Sequence, residues 1–287
     1  MGGHLTELLV RDGAEPRAAG RADADLTDPD AARRLVAESG ADHVAHLAAD
    51  VSVPRSWREP LSTLRTNHLA TLNLLEAVRL ERPAAAVLVV CSSEAYGQPD
   101  RLPVTEDAPL RPRNPYAASK ATGDLLAGFY ADAYEAPIAR VRAFNHAGPG
   151  QRAEYVVSDL ARRVALAERE GATGVSIATG DPGARRDFVD VRDAARAYRD
   201  LLAGGHAGAF NVCSGRGTSI AEIVEGLDAL TELRVERHTD PELVRPNQVA
   251  EVVGSHARLS DATGWEPRVP FAQTLADTLD WWRRELA

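Results

Sequence analysis

Ala85-Ala86-Val87-Leu88-Val89-Val90 runs directly into Cys91-Ser92-Ser93-Glu94-Ala95-Tyr96-Gly97. An unbroken apolar run of this length reads as a parallel strand buried on both faces. Ligands of open α/β sheets sit outside the carboxyl ends of such strands, so Ser92, Ser93 and Glu94 fall where chemistry is expected. Downstream lies Tyr116-Ala117-Ala118-Ser119-Lys120. Positions four apart share a helix face, which would set the Lys120 ammonium near the Tyr116 phenol to stabilise its phenolate. A phenol with an ordinary pKa of about 10 then becomes usable nearer neutrality. Tyr-x-x-x-Lys by itself arises by chance in many helices, and its weight comes from the strand end with Ser-Ser-Glu that precedes it. Hydroxyl, phenol and ammonium together fit proton transfer beside a hydride carrier.

Outward from this stretch, apolar strands alternate with helical periods. Asp42 to Ala48 and Ala85 to Val90 are expected as parallel strands, with long helices at Ser62 to Arg79 and Tyr116 to Tyr134. Pro115 suits a helix entrance. Pro137 to Phe144 returns to the sheet. Beyond about residue 148 the sequence predicts helices at Val156 to Glu170, Val191 to Leu202, Ser219 to Leu230 and Phe271 to Glu285. Strands are expected at Gly174 to Ala178, Ala209 to Cys213 and Leu233 to Arg237. The resulting class is α/β, a doubly wound parallel sheet with a smaller α/β lobe. Residues 1–147, with 189–213 returning to them, form the expected dinucleotide-binding domain, and 148–188 with 214–287 the substrate-binding lobe.

Composition narrows the function classes. A chain of 287 residues can build one large α/β unit and a small lobe. A formal net charge of -9 and a pI near 5.4 argue against general affinity for nucleic acid or anionic membranes. No apolar stretch approaches the roughly 18 residues of a membrane span and no secretory signal is recognisable, so a cytoplasmic location is expected. Cys91 and Cys213 each close an apolar run without metal-ligand spacing, which reads as two buried thiols and no metal site. Trp265 and the Trp281-Trp282 pair read as packing residues, and His146 as structural.

The chain resembles the extended short-chain dehydrogenase/reductase family, specifically its nucleotide-sugar epimerases, dehydratases and reductases. The matching residues run nearly end to end: His46-Leu47-Ala48-Ala49, Thr66-Asn67, Ser92 to Gly97, Asn114-Pro115-Tyr116 through Lys120, Arg142 to Gly150, Arg186 to Asp193, Asn211 to Gly215, Leu243 to Pro246 and Thr263 to Arg268. Phe144-Asn145-His146-Ala147-Gly148-Pro149-Gly150-Gln151 and the Arg-Asp-Phe and Arg-Pro segments look most like the GDP-mannose branch. The resemblance implies catalytic roles for Ser92, Ser93, Glu94, Tyr116 and Lys120. It implies that NADP or NAD is held by Gly2, Asp25, Leu26, Leu47, Ala48, Ala49, Asn67, Tyr116 and Lys120. Asn145, Arg186 and Arg245 are the implied ligands of the sugar-nucleotide diphosphate, a role that suits guanidinium forks and an amide donor; surface ion pairing is the plainer alternative for the arginines. A homodimer through the two long helices is also implied.

Two departures stand at the N-terminus. Met1-Gly2-Gly3-His4-Leu5-Thr6 looks like the end of a glycine-rich fingerprint and its helix, without the first strand and earlier glycines that would hold a pyrophosphate. Gly13 to Arg21 contains Pro16 and no β-branched run, so an ordinary interior strand is not expected there. Arg17 and Arg21 read as solvated loop charges more than as a reader of a 2′-phosphate. A mis-assigned start, a genuinely shortened protein, and a partner supplying the element all remain open.

The implied function is reduction of the 4-keto group of GDP-4-keto-6-deoxy-D-mannose to GDP-D-rhamnose. A GDP-mannose 4,6-dehydratase or a nucleotide-sugar 4-epimerase that retains its cofactor is the alternative, with Glu94 as base in the dehydratase. A nucleotide-sugar-binding protein without redox catalysis is the alternative of another class.

Overall fold

The computed structural model describes residues 1–243 and 249–287. In chain order it runs α1 (Gly2–Arg11), α2 (Pro29–Ser39), β1 (His43–His46), α3 (Val53–Arg58), α4 (Pro60–Glu81), β2 (Ala86–Val90), a 3-10 turn (Ser93–Tyr96), α5 (Pro115–Tyr134), β3 (Ile138–Ala143) and β4 (Asn145–Ala147). Then follow α6 (Val156–Arg169), β5 (Gly174–Thr179), β6 (Arg185–Asp190), α7 (Val191–Ala203), β7 (Gly208–Val212), β8 (Gly217–Ser219), α8 (Ile220–Asp228), β9 (Arg234–Thr239), β10 (Glu251–Val252), α9 (Ala257–Thr263) and α10 (Phe271–Glu285).

Strands β1, β2, β3 and β7 form a four-stranded parallel sheet in that order. Alternate residues of β2 feed two cores, as a doubly wound sheet requires. Leu88 packs with Leu5 of α1, with Tyr198 and Leu201 of α7, and with Trp265. Val87 and Val89 face Val36 of α2, Leu74 and Val78 of α4, and Tyr130 of α5. Local chemistry fixes the helix starts. Asp28 accepts from the N–H groups of Asp30 and Ala31 ahead of α2, and Asn114 accepts from the Ala117 N–H ahead of α5, each followed by proline at the first helical position. Residues 12–28 contribute turns and no strand. Among the described residues β1 is hydrogen-bonded to β2 alone, and Val44 and Ala45 are only half-buried.

Strands β10, β6 and β4 form a second sheet, with β8 antiparallel to β6, and β5 pairs in parallel with β9. Their core brings Leu160 and Val164 of α6 against Ile223 and Leu227 of α8 and Leu279 of α10. Ser219 and Glu222 form a capping box at the start of α8, with both reciprocal bonds present. The sequence analysis assigned no element to α2, α3, α9, β4, β6, β8 or β10. All but α2 are seven residues or shorter, too short for periodicity to declare itself.

A buried polar network fastens the first sheet to the turn at its end. Arg142 of β3 donates from Nε and Nη2 to the two carboxylate oxygens of Asp124 on α5, at 3.1 and 2.9 Å, and from Nη1 to the Tyr96 hydroxyl at 3.1 Å and the Glu106 carbonyl at 2.7 Å. The Tyr96 hydroxyl in turn donates to Asn211 Oδ1 on β7 at 2.7 Å. Asp124 and Arg142 are buried, so removing Asp124 strands the Arg142 charge, whereas Asp124 itself also has Arg140 Nη1 at 3.3 Å. Asp124→Leu is expected to lower unfolding stability by about 3 to 5 kcal/mol in urea titrations. A loss below about 1 kcal/mol, the scale of a surface pair, would show that the network carries little.

Candidate functional site

The strand end and the long helix meet as expected. Ser92 caps the 3-10 turn, accepting from the Glu94 N–H at 3.2 Å, and its side chain is near enough to the Tyr116 phenol to pull the phenol's pKa down. Ser92 and Ser93 are both buried. Glu94 is exposed, and its Oε2 accepts from Nδ2 of Asn114 at 3.1 Å. Asn114 thus holds Glu94 with one end of its amide and the start of α5 with the other.

The Lys120 ammonium has a partner that its spacing did not reveal. It is buried and donates to the Val90 carbonyl at 2.7 Å, at the end of β2. Burial lowers its pKa from the ordinary lysine value. Burial raises the Tyr116 phenol well above its ordinary range, against a smaller downward pull from Ser92. The sequence led to the opposite shift. Tyr116 is therefore a protonated phenol throughout the physiological range, poised as a proton donor.

Behind Lys120 lies a chain of polar side chains. His46 Nε2 contacts Thr71 Oγ1 at 3.1 Å, and because Thr71 donates to the Asn67 carbonyl at 2.9 Å, the histidine is the donor. Asn67 accepts from the Asp50 N–H at 2.7 Å and donates to the Asp50 carbonyl at 3.0 Å and to Ser119 Oγ at 2.8 Å. Its amide hydrogens are spent inside the protein, fixing the loop after β1 to α5.

The other sequence candidates divide between two regions. A Cβ built on Gly2 would lie 3.9 Å from Leu47 Cδ1, so the start of α1 adjoins the end of β1, where Ala48 is exposed and Ala49 half-buried. His4 Nε2 meets the Pro149 carbonyl at 2.9 Å, joining α1 to the loop after β4. Asp25 turns its carboxylate onto the N–H and hydroxyl of Thr27, at 3.0 and 2.8 Å, and these bonds lower its pKa. The Leu26 carbonyl accepts from Asn73 Nδ2 at 2.9 Å, and Arg17 and Arg21 are exposed. On the second sheet, Asn145 donates from Nδ2 to the Asp187 carbonyl at 3.3 Å, and Arg186 donates from Nη1 to the Arg185 carbonyl at 2.8 Å. Arg245 lies outside the described residues. Cys91 and Cys213 are buried free thiols, and Trp265 is buried with Nε1 donating to the Asp193 carbonyl at 2.9 Å. Among the described residues no cluster suits a metal and no helix is long and apolar enough to cross a membrane.

The family model described as GDP-mannose 4,6 dehydratase matches residues 9–278. The chain belongs to that family. It is 38% identical over 261 residues to GDP-6-deoxy-D-mannose reductase of Pseudomonas aeruginosa, covering 90% of this chain and 85% of the relative. Its fold superimposes on the structure of RMD from Pseudomonas aeruginosa complexed with NADPH with a TM-score of 0.90 and 35% identity, covering 99% of this chain and 95% of that one. It is also 31% identical over 278 residues to dTDP-glucose 4,6-dehydratase of Xanthomonas campestris, covering 90% of this chain and 77% of the relative.

Sequence reasoning overlooked the support beneath these residues. His46 and Asn114 were noticed only inside longer motifs; a histidine interrupting an apolar strand and an Asn-Pro before a helix were the available signals. Tyr198 was not noticed at all, although its hydroxyl contacts His146 Nε2 at 3.2 Å. Burial depresses His46 from 6.5 to about 3 and His146 from 6.5 to about 4, so both are neutral in the fold. Between those values the unfolded chain binds protons that the folded chain does not. Stability is therefore lost as pH falls from 6.5 toward 4, by about 1.4 kcal/mol per pH unit for each histidine once titration of the unfolded chain is complete. Urea midpoints taken between about pH 7 and pH 5 should fall accordingly, and His46→Gln should flatten the slope. A slope unaltered by His46→Gln would contradict burial of the neutral ring.

Proposed function

We propose that this chain is an NADPH-dependent reductase of nucleotide-sugar metabolism that converts GDP-4-keto-6-deoxy-D-mannose to GDP-D-rhamnose. The observation that carries this reading is the convergence of Ser92, at the carboxyl end of β2, with Tyr116, in the first turn of α5, near enough for the serine to bear on the phenol. The similarity to the Pseudomonas reductase and its NADPH complex supports both substrate and cofactor. The cofactor fits what is present. α1 begins with Gly2 and Gly3, lacks a side-chain cap and carries no acidic residue in its first turn, so its positive end is available to a diphosphate. Gly2, Asp25, Leu26, Leu47, Ala48, Ala49 and Asn67 would frame the cofactor, with Tyr116 and Lys120 at its reactive end. We assign 1–147 with 189–213 to cofactor binding, and 148–188 with 214–287 to the nucleotide-sugar.

NADPH, when bound, would supply the hydride for C4. As the C=O electron pair moves onto O4, Tyr116 gives its proton to that oxygen, and Ser92, with Ser93 beside it, fixes O4 by hydrogen bonding. Lys120, held by Val90, keeps positive charge near the reacting centre. Asn145, Arg186 and Arg245 hold the diphosphate. Glu94 is not needed for reduction. A second copy of the chain is the partner we assign to the exposed apolar face of α4 and α5, where Leu64, Leu125 and Phe129 stand 36%, 64% and 57% exposed. The chemistry is that of a cytoplasmic enzyme.

The test follows NADPH absorbance and product identity together. The reductase consumes one NADPH per GDP-D-rhamnose formed; turnover of GDP-mannose or another nucleotide-sugar without net cofactor consumption would favour a dehydratase or epimerase. Tyr116→Phe should lower kcat about 10²- to 10⁴-fold with KM little changed. Glu94→Gln should retain full turnover, and its inactivation would support the dehydratase instead.

A further inference from the structure

We propose that Asp187 is a positioning residue: a buried carboxylate that clasps β6 to the segments following β7 and β10, and so sets how far Arg186 and Asn145 stand from Tyr116. The assignment deepens the function proposed above and rests on Asn145 and Arg186 being ligands of the nucleotide-sugar.

Asp187 is fully buried and its two oxygens take four neutral donors. Oδ1 accepts from the Ser214 N–H and the Ser214 hydroxyl, both at 2.7 Å. Oδ2 accepts from the Gly215 N–H at 3.0 Å and the Gly254 N–H at 3.2 Å. The Asp187 carbonyl holds Asn145 Nδ2, and Arg186 is its neighbour in β6. One residue therefore touches one candidate ligand and directly adjoins the other. Ser214 and Gly215 follow β7, which pairs with β3, and β3 pairs with β2, the strand that ends at Ser92. The clasp is thus a direct tie between the sheet that carries the diphosphate ligands and the sheet that carries the chemistry.

The surrounding backbone is shaped to make these bonds. Gly215 has φ +77°, a left-handed conformation that strains any residue with a side chain. A Cβ on Gly254 would lie 2.5 Å from Phe144 Cζ and 2.8 Å from Cys213 Sγ, so only bare backbone comes close enough to donate. Four converging donors need an acceptor with no hydrogens of its own. An asparagine would turn an NH₂ toward two of them, leaving buried donors unsatisfied.

Ser214→Ala removes the hydroxyl donor and spares the backbone bonds. It should raise KM for GDP-4-keto-6-deoxy-D-mannose roughly five- to tenfold, with kcat and NADPH affinity within about twofold of the parent. Ser214→Thr should restore KM, and Asp187→Asn, if it folds, should raise KM further. A lower melting temperature with KM unchanged, or a fall in kcat at constant KM, would make Asp187 merely structural and overturn the proposal. If the parent chain does not turn over this sugar, calorimetric affinity for GDP and for UDP replaces KM. Weaker nucleotide binding by Ser214→Ala would then keep the clasp while rejecting the substrate. Equal affinities in parent and variant, or no nucleotide binding by the parent, would overturn the clasp.

Discussion

A guanidinium taken out of water must have its donors filled, and Arg142 fills four of them with Asp124, Tyr96 and the Glu106 carbonyl. Those partners come from α5, the turn after β2 and the segment leading into α5, the pieces that carry Tyr116, Ser92 and Glu94. Losing the ion pair would cost more than stability, because α5 and the turn would no longer share a fixed anchor. Arg142 also stacks over the Tyr96 ring, 5.2 Å from its centroid, which limits rotation of that anchor. Ser92 and Tyr116 thus stand at the visible end of a buried framework.

The same logic recurs twice nearby. Asn67 spends its amide on Asp50 and Ser119, fixing the loop after β1 to α5 one residue before Lys120. Asp187 gathers the ends of β7 and β10 onto β6. In each case one buried polar side chain joins segments distant in sequence, and each is satisfied by several partners, as low-dielectric surroundings demand.

Much of this was legible in the chain. The apolar run Ala85 to Val90 named its strand, the long helices ended within a few residues of expectation, and the strand-poor stretch from Gly13 to Arg21 forms turns. The pattern of the sequence changes after residue 148, and just before that point Asn145 to Ala147 pairs with β6 in the second sheet. What stayed hidden depends on three dimensions. Spacing puts Lys120 on the face of Tyr116 but says nothing of the Val90 carbonyl, which competes for its ammonium. Nor can spacing reveal that burial outweighs charge in setting the Tyr116 pKa. Asp187 was read as part of Arg-Asp-Phe, and only the convergence of Ser214, Gly215 and Gly254 gives it a task.

The account joins a reductase's proton donor to the positive end of α1 as a site for the cofactor's phosphates. Calorimetric titration of the folded chain with NADPH tests that union most directly. The account predicts saturable binding at one site per chain. A folded chain that binds GDP-sugar and takes up neither NADPH nor NADH would contradict it, leaving a nucleotide-sugar-binding protein without redox chemistry.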